Sequence, residues 1–416
     1  MPFRIHSIGA VPLRLSILFS LFALAVPLLA SAQTSVGVQA IGLYSHVDPV
    51  PGGGSADEVR VVQPVVMLHR DWLGGRLGVV AMANFEGLTL RHGELAPGNW
   101  GEGFMDRRHP HTYVHELMVS GDVMRSGRVR ASVSAGKGFA PFGTDDPMSR
   151  PIVRYPVNHH LAQILERAVA IAAVRAGPVA IEAGLFNGDE PEQPGQWPRV
   201  SRFGDSWSVR ATVMPVTGVE LQSSLAHVHS PEHRPGAGPD QRKASASVRW
   251  AGQIDGHATY AMAEWARTSE AGGFFVYRSA LAEGAWSAGH QRLQWRVERT
   301  DRPEEMRTLD PYRSVRPHLE NSILAETRWT TVTAGWSMEY TPGSGIRLQP
   351  LAEVSWVRVA TAPGQAFDPL TFYGRDRFWS VSLGLRLGWG APMHRMGRYG
   401  AMRESDHPSH AVSHMH

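Results

Sequence analysis

Apolar and polar residues alternate with a period of two along most of this chain, in stretches of roughly nine to eleven residues. From Lys243 to Trp250, the residues Ala244, Ala246, Val248 and Trp250 share one face, and Lys243, Ser245, Ser247 and Arg249 share the other. Leu293, Trp295 and Val297 oppose Arg292, Gln294, Arg296 and Glu298 in the same way, and Trp207–Val213 sets Ser208, Arg210 and Thr212 on its polar face. The strongest case has Trp379, Val381, Leu383, Leu385, Leu387 and Trp389 alternating with Ser380, Ser382, Gly384, Arg386 and Gly388. The pattern predicts about sixteen strands. They fall near residues 35–46, 58–69, 76–87, 112–120, 127–137, 167–175, 178–187 and 205–214. The remainder fall near 218–228, 242–250, 256–267, 273–284, 290–299, 327–340, 345–358 and 377–389.

Alternation alone also describes a soluble sandwich, whose strands bury one face against a second sheet. Connection lengths favour another architecture. Every second connection is short: 70–75, 121–126, 176–177, 215–217, 251–255, 284–289 and 341–344. The intervening ones are mostly long, including 88–111, 138–166, 188–204 and 300–326. Short turns alternating with long loops are the signature of a transmembrane antiparallel up-and-down β-barrel of the bacterial outer membrane, with turns periplasmic and loops outside. Closure has a physical motive, because an open sheet in lipid leaves edge N–H and C=O groups without partners. An even strand count puts both termini in the periplasm. Trp72, Trp207, Trp250, Trp286, Trp329, Tyr340, Trp379 and Trp389 lie near strand ends and are candidates for the two aromatic girdles.

The N-terminus reads as an export signal. Arg4 and Arg14 precede the apolar run Leu15–Leu29, which ends in Ala30-Ser31-Ala32, so residues 1–32 are expected to be cleaved before Gln33. About 15 apolar residues interrupted by Pro27 fall short of the roughly 20 that a membrane-spanning helix needs. The organisation expected is thus a signal peptide (1–32), an all-β outer-membrane barrel (33–390) and a His/Met-rich periplasmic tail (391–416). The absence of cysteine excludes disulfides, thiolate metal sites and a catalytic Cys. A net charge of +3 over 416 residues gives no electrostatic footprint for nucleic acid, and losing Arg4 and Arg14 lowers it to +1.

Local stretches add a resemblance. Gly136-Lys137-Gly138-Phe139-Ala140-Pro141-Phe142-Gly143 is similar to a strand exit of outer-membrane porins, where a Gly-rich strand meets a Pro-Phe-Gly corner before the long third loop. Ala173-Val174-Arg175-Ala176-Gly177 and Gly184-Leu185-Phe186-Asn187-Gly188 resemble the hairpin that follows. The chain therefore resembles bacterial outer-membrane porins and, more loosely, the phosphate-selective porin group. The resemblance implies that residues 138–166 fold into the lumen and narrow it. Phosphate-selecting members resemble a lysine-lined channel, and this chain departs from that pattern because Lys137 and Lys243 are its only lysines.

Inward faces taken from the alternation would line the pore with Arg128, Arg130, Arg210, Lys243, Arg249, Arg292, Arg296 and Arg386. Against them stand Glu116, Glu182, Glu220, Glu264, Glu298, Glu339 and Glu353. Opposed rows would give a transverse field that orients dipolar solutes, whereas pairing along the wall would serve stability alone. Asp145, Asp146, Arg150 and Arg154 are the constriction candidates in the third loop.

Histidines gather at His109, His111 and His115, at His159-His160, and at His227, His229 and His233. The tail carries His394, His407, His410, His414 and His416 with Met393, Met396, Met402 and Met415. Imidazole and thioether suit transition metals, so the tail is either a flexible metal-capturing patch or a solvated end with incidental histidines. No G-x-S-x-G, H-E-x-x-H or phosphate-loop pattern occurs, and no enzyme is expected. The expectation is a porin: a water-filled channel for passive diffusion of small hydrophilic solutes or ions, without cofactor, in contact with outer-membrane lipid and not with nucleic acid. A homotrimer is left open. The alternative is a barrel with an incidental channel that binds a transition metal through its His/Met-rich loops and tail.

Overall fold

The computed structural model describes residues 33–48, 55–89, 111–191, 194–231, 238–305 and 323–403. The export segment 1–32, His109, His233 and the tail histidines from His407 onward lie outside them. The first strands are β1 (Gln33–Asp48), β2 (Ala56–Trp72), β3 (Leu77–Asn84), β4 (Val114–Ser126), β5 (Val129–Gly138) and β6 (Arg167–Ala176). Next come β7 (Val179–Phe186), β8 (Ser206–Val213), β9 (Val219–Val228), β10 (Gln241–Ile254), β11 (His257–Glu270) and β12 (Phe275–Ala288). The last are β13 (Gln291–Glu305), β14 (Ile323–Met338), β15 (Tyr340–Gly343), β16 (Ile346–Thr361) and β17 (Arg377–Gly390). β15 resumes β14 after Glu339, and both pair with β16, so the sheet has sixteen staves. Each pairs antiparallel with its sequence neighbours. The sheet closes where β1 meets β17, in register from Gly37 opposite Gly390 to Asp48 opposite Trp379. This is the expected all-β, up-and-down barrel.

Burial alternates with the sequence pattern but with soluble-protein polarity reversed. In β8, Ser206, Ser208, Arg210 and Thr212 are buried, while Trp207, Val209 and Val213 are exposed. Leu185, Leu225, Val248, Trp295, Trp356 and Leu383 likewise stand on the outer surface. The outer face is apolar and the interior carries the charge. Such a surface is stable only against hydrocarbon, which is the condition of a membrane-spanning barrel.

Sixteen predicted strands coincide with sixteen staves, and five of the turns are tighter than predicted, 73–76 and 344–345 among them. β4 continues to Ser126, β10 to Ile254 and β12 to Ala288, leaving 127–128, 255–256 and 289–290 as connections. The ladder runs on past the point where the apolar alternation fades, as in Arg125 opposite Arg130 and Gln253 opposite Ala258. At the other rim, β11 and β12 are joined by only Ala271–Phe274. β3 stops at Asn84 rather than near 87, because Glu86 opens a short helix, Glu86–Thr89. There its carboxylate accepts from Gln63 N at 2.8 Å, at a bulge in β2 where Gln63 has a φ of 51°.

The aromatic assignment needs one correction. Trp207, Trp286, Tyr340, Trp379 and Trp389 are exposed on the outer face, but Trp329 is fully buried. It shares the inward face of β14 with Thr327, Thr331 and Thr333, beneath the Arg302 guanidinium, whose carbon lies 3.9 Å from its ring centroid. Trp265, Trp295, Trp336 and Trp356 are further outward tryptophans.

The polarity reversal generates a test. Leu383 is 52% exposed near the middle of β17, so Leu383→Arg is expected to cost about 2–4 kcal/mol of folding free energy in a bilayer. Urea-dependent refolding into lipid vesicles, followed by heat-modifiable gel mobility, measures it. A cost near zero would contradict the placement of this face in hydrocarbon.

Candidate functional site: the charged barrel interior

The connection from β5 to β6, residues 139–166, folds inside the barrel. Gly143 makes the fold of this loop possible. Its φ is 72°, and a Cβ there would lie 1.7 Å from Ala162 O, so only glycine lets the two limbs of the loop meet. Carboxylates on the wall accept from the loop backbone. Glu353 on β16 takes Val153 N at 2.7 Å and Arg154 N at 3.1 Å. Glu298 on β13 takes Val157 N at 2.8 Å and Arg154 Nη1 at 3.1 Å. Glu264 on β11 accepts from Thr144 Oγ1, from Asn158 Nδ2 at 2.8 Å and from Arg150 Nη2 at 3.4 Å. Charge-assisted bonds of this kind are roughly twice as strong as neutral ones, and here they fix a loop that has no strand partner. Apolar contacts from Phe139, Met148, Val153 and Tyr155 to Ile41, Val65 and Met82 complete the seat.

The interior also holds part of the expected periplasmic tail. Residues 391–403 turn back from the end of β17 and lie against the inward wall. His394 Nε2 is 3.1 Å from Glu116 Oε2, and Tyr399 Oη donates to Glu116 Oε1 at 2.5 Å. Arg395 donates to Asp145 Oδ1 at 2.7 Å and to Glu220 at 2.9 and 3.0 Å. Arg398 donates to Glu220 Oε1 at 3.0 Å, and Met396 joins the apolar cluster around Phe139. Ala401 N donates to Ser132 Oγ at 2.7 Å, and Arg403 pairs with Asp71. The correction has a simple cause. The tail lacks alternation and reads as solvated, yet its cations match carboxylates on the wall.

Most of the predicted interior charges face inward and have partners. Arg210 forms a two-pronged bond with Glu182 at 2.6 and 2.8 Å and also donates to Gly397 O at 2.8 Å. Arg296 pairs with Glu283 at 2.7 Å and donates to Arg154 O at 2.6 Å. Arg249 lies 3.2 Å from Asp145, and Arg130 donates to Asp122 at 2.8 Å. Lys243 donates to Gln241 at 3.3 Å, Arg386 to Gln349 at 3.1 Å and Arg292 to Ser287 at 3.1 Å. Two predicted wall residues sit at rims. Arg128 is exposed in the two-residue turn before β5, and Glu339 is exposed at the break between β14 and β15. Asp146 serves the loop itself, accepting Met148 N at 2.8 Å. Lys137 contacts Thr112 Oγ1 and lies 3.6 Å from Glu166.

Several participants lie outside the set of charges expected from the alternation. Glu283 continues the inward face of Tyr277, Ser279 and Leu281, so alternation could have found it. Arg395, Arg398 and Tyr399 had no such signal. Beneath the loop, His111 Nδ1 lies 2.7 Å from Glu86 and His115 Nδ1 lies 2.5 Å from Glu166, with the two imidazole centroids 4.8 Å apart. Among the described residues no group of three or more His, Asp or Glu is arranged to hold a metal ion. Of the five tail histidines, His394 is engaged by Glu116 and the others lie outside the described residues.

No protein-family model and no curated protein matches this chain. Among solved structures, the anion-selective porin from Comamonas acidovorans is similar with a TM-score of 0.52 at 10% identity, covering 86% of this chain and 100% of that one. The trimer form of OmpT from Vibrio cholerae gives 0.47 at 12% identity, covering 86% and 99%. OccK2 from Pseudomonas aeruginosa gives 0.39 at 13%, covering 86% and 98%. At these identities the first likeness concerns the fold, which is that of a porin-type transmembrane β-barrel, and the other two add no weight.

The loop's anchoring depends on pH. Burial opposes a charged His111, but Glu86 outweighs it and raises the ring to about 9. Burial would raise Glu166 and Asp145, yet His115 and Lys137 hold the first at about 2, and Arg395, Arg249 and Arg398 hold the second at about 2. The histidine contribution is complete below its free value near pH 6.5 and is lost as pH rises through about 9. The carboxylate contributions are complete above about pH 4.5 and are lost as pH falls through about 2. Residues 139–166 should therefore resist limited proteolysis best between about pH 4.5 and 6.5. Cleavage should accelerate as pH rises from about 6.5 to about 9 and level off beyond it, relative to a denatured control, and His111→Gln should abolish this change. A flat profile in the unsubstituted protein would contradict it.

Proposed function

We propose that this protein is an outer-membrane channel through which small hydrophilic solutes or ions diffuse passively, with no chemistry and no cofactor. One observation carries the reading: a closed sixteen-stave barrel with an apolar outer face and a charged interior. A barrel of this size encloses more space than its own wall side chains fill. In this orientation the long connections face outward from the cell, the short turns and both ends of the barrel domain face the periplasm, and residues 1–32 serve export.

Selectivity for phosphate finds no support in the interior. Lys137 and Lys243, the two lysines, are both buried and hydrogen-bonded. Arginines and carboxylates neutralise one another in pairs such as Arg210 with Glu182 and Arg296 with Glu283. The wall alone therefore gives weak ion preference, and the inserted loop governs the size of what passes.

Refolded protein lacking residues 1–32 should produce discrete conductance steps in a planar bilayer and should let liposomes swell in small sugars. The reversal potential in a salt gradient should be small. Absence of both steps and swelling, for the full chain and for a version ending at Gly390, would overturn the channel reading.

A further inference from the structure

Residues 391–403 occupy the barrel in the manner of a ligand rather than a stave. Among the described residues, backbone-to-backbone bonding to the wall ends at Ala391 N to Val36 O, 2.8 Å. Beyond it the backbone bonds are internal, Met402 N to Tyr399 O and Arg403 N to Gly400 O, and the wall is reached through side chains. The ladder that closes the barrel is complete at Gly390, opposite Gly37. Both ends of the segment lie at the rim of the short turns: Ala391 beside Val36, and Arg403 on Asp71, which pairs with Gly78 next to the turn at 73–76. The described segment thus begins and ends at one rim.

Its cations sit on an acidic seat built by separate elements. Arg395 and Arg398 meet Asp145 from the inserted loop, Glu220 from β9 and Glu182 from β7, with Glu116 of β4 alongside on His394 and Tyr399. Arg398 is 5% exposed, and its Nε and Nη1 point among these groups without a hydrogen-bond partner. The fit of the seat to this arginine is therefore incomplete. Among the described residues, withdrawing the segment would leave these four carboxylates with two ion pairs, Glu182 with Arg210 and Asp145 with Arg249. Buried carboxylates in excess of cations are costly, so the vacated seat favours a replacement cation able to make several N–H bonds to planar carboxylates.

We propose that Asp145, Glu182 and Glu220, flanked by Glu116, form a binding site for a guanidinium-bearing solute, which the chain's own segment 391–403 fills in this structure. The proposal rests on the channel reading for its physiological use but not for its test. The segment is a tethered competitor: a few-residue connection holds it near the site at high effective concentration, so the free solute binds weakly while it is in place. Withdrawal vacates the seat and leaves it with more carboxylates than paired cations.

The test uses the full chain with Arg395→Gln, Arg398→Gln and Tyr399→Phe, and in parallel a chain ending at Gly390. Isothermal calorimetry in detergent with L-arginine as the probe should show binding at least tenfold tighter to the triple variant than to the unsubstituted chain. Citrulline, which replaces the guanidinium with a neutral ureido group, should not bind. In bilayers the triple variant should show larger steps, cation preference and block by L-arginine. Adding Glu220→Gln to it should remove both binding and block. Equal arginine affinity in the variant and the unsubstituted chain, no binding to either, or equal binding of citrulline would each overturn the proposal. Arginine binding that follows the predicted order without conductance would uphold the site while the channel reading fails.

Discussion

The pairing of β1 with β17 is the constraint on which everything else depends. In hydrocarbon an unpaired backbone N–H or C=O has no water to turn to, so sixteen staves are stable there only as a closed ring. The register from Gly37 to Asp48 against Gly390 to Trp379 removes both free edges. Once the ring closes, each stave must turn one face to lipid and the other inward, and the alternation becomes an inside and an outside. The charges then have only the interior in which to reside. The burial of Arg210, Arg296, Glu298 and Glu353 is a result of closure, not of a hydrophobic core.

A polar interior of this size creates the next requirement. Each buried charge needs a partner, and the wall supplies only part of the set. Glu353, Glu298 and Glu264 find theirs on the loop 139–166, while Glu220 and Glu116 find theirs on 391–403. The loop and the terminal segment are held by different carboxylates of the wall and meet at Asp145, which serves both Arg249 and Arg395. Apolar packing around Phe139 and Met396 fills the space between these anchors.

The barrel was readable because its evidence is local: a two-residue period needs no knowledge of distant chain. Leu383 and Trp295 announce lipid by standing opposite Ser382 and Arg296 in plain sequence. Trp329 was misread because its position near a strand end suggested a girdle, whereas the face it shares with Thr331 turns it inward. The interior was legible only as an inventory. Glu264 and Glu353 could be assigned to the wall, but nothing in their neighbourhoods tells that their acceptor atoms face loop amides more than 100 residues away in the chain. The segment 391–403 carries no periodicity at all, and its place follows from complementarity with residues scattered from Asp71 to Glu220.

The division of partners between wall, loop and tail has a consequence for how such a sequence can change over generations. A lipid-facing leucine answers only to oiliness and bulk, so neighbouring lineages can exchange it for valine or isoleucine one position at a time. An interior glutamate is bound to a named counterpart elsewhere in the chain, and altering one member strands the other in a site with little water. Substitutions inside the barrel should accordingly travel as matched sets, with Glu220 drifting alongside Arg395 and Glu182 alongside Arg210. The exterior diversifies residue by residue, and the interior diversifies by couples.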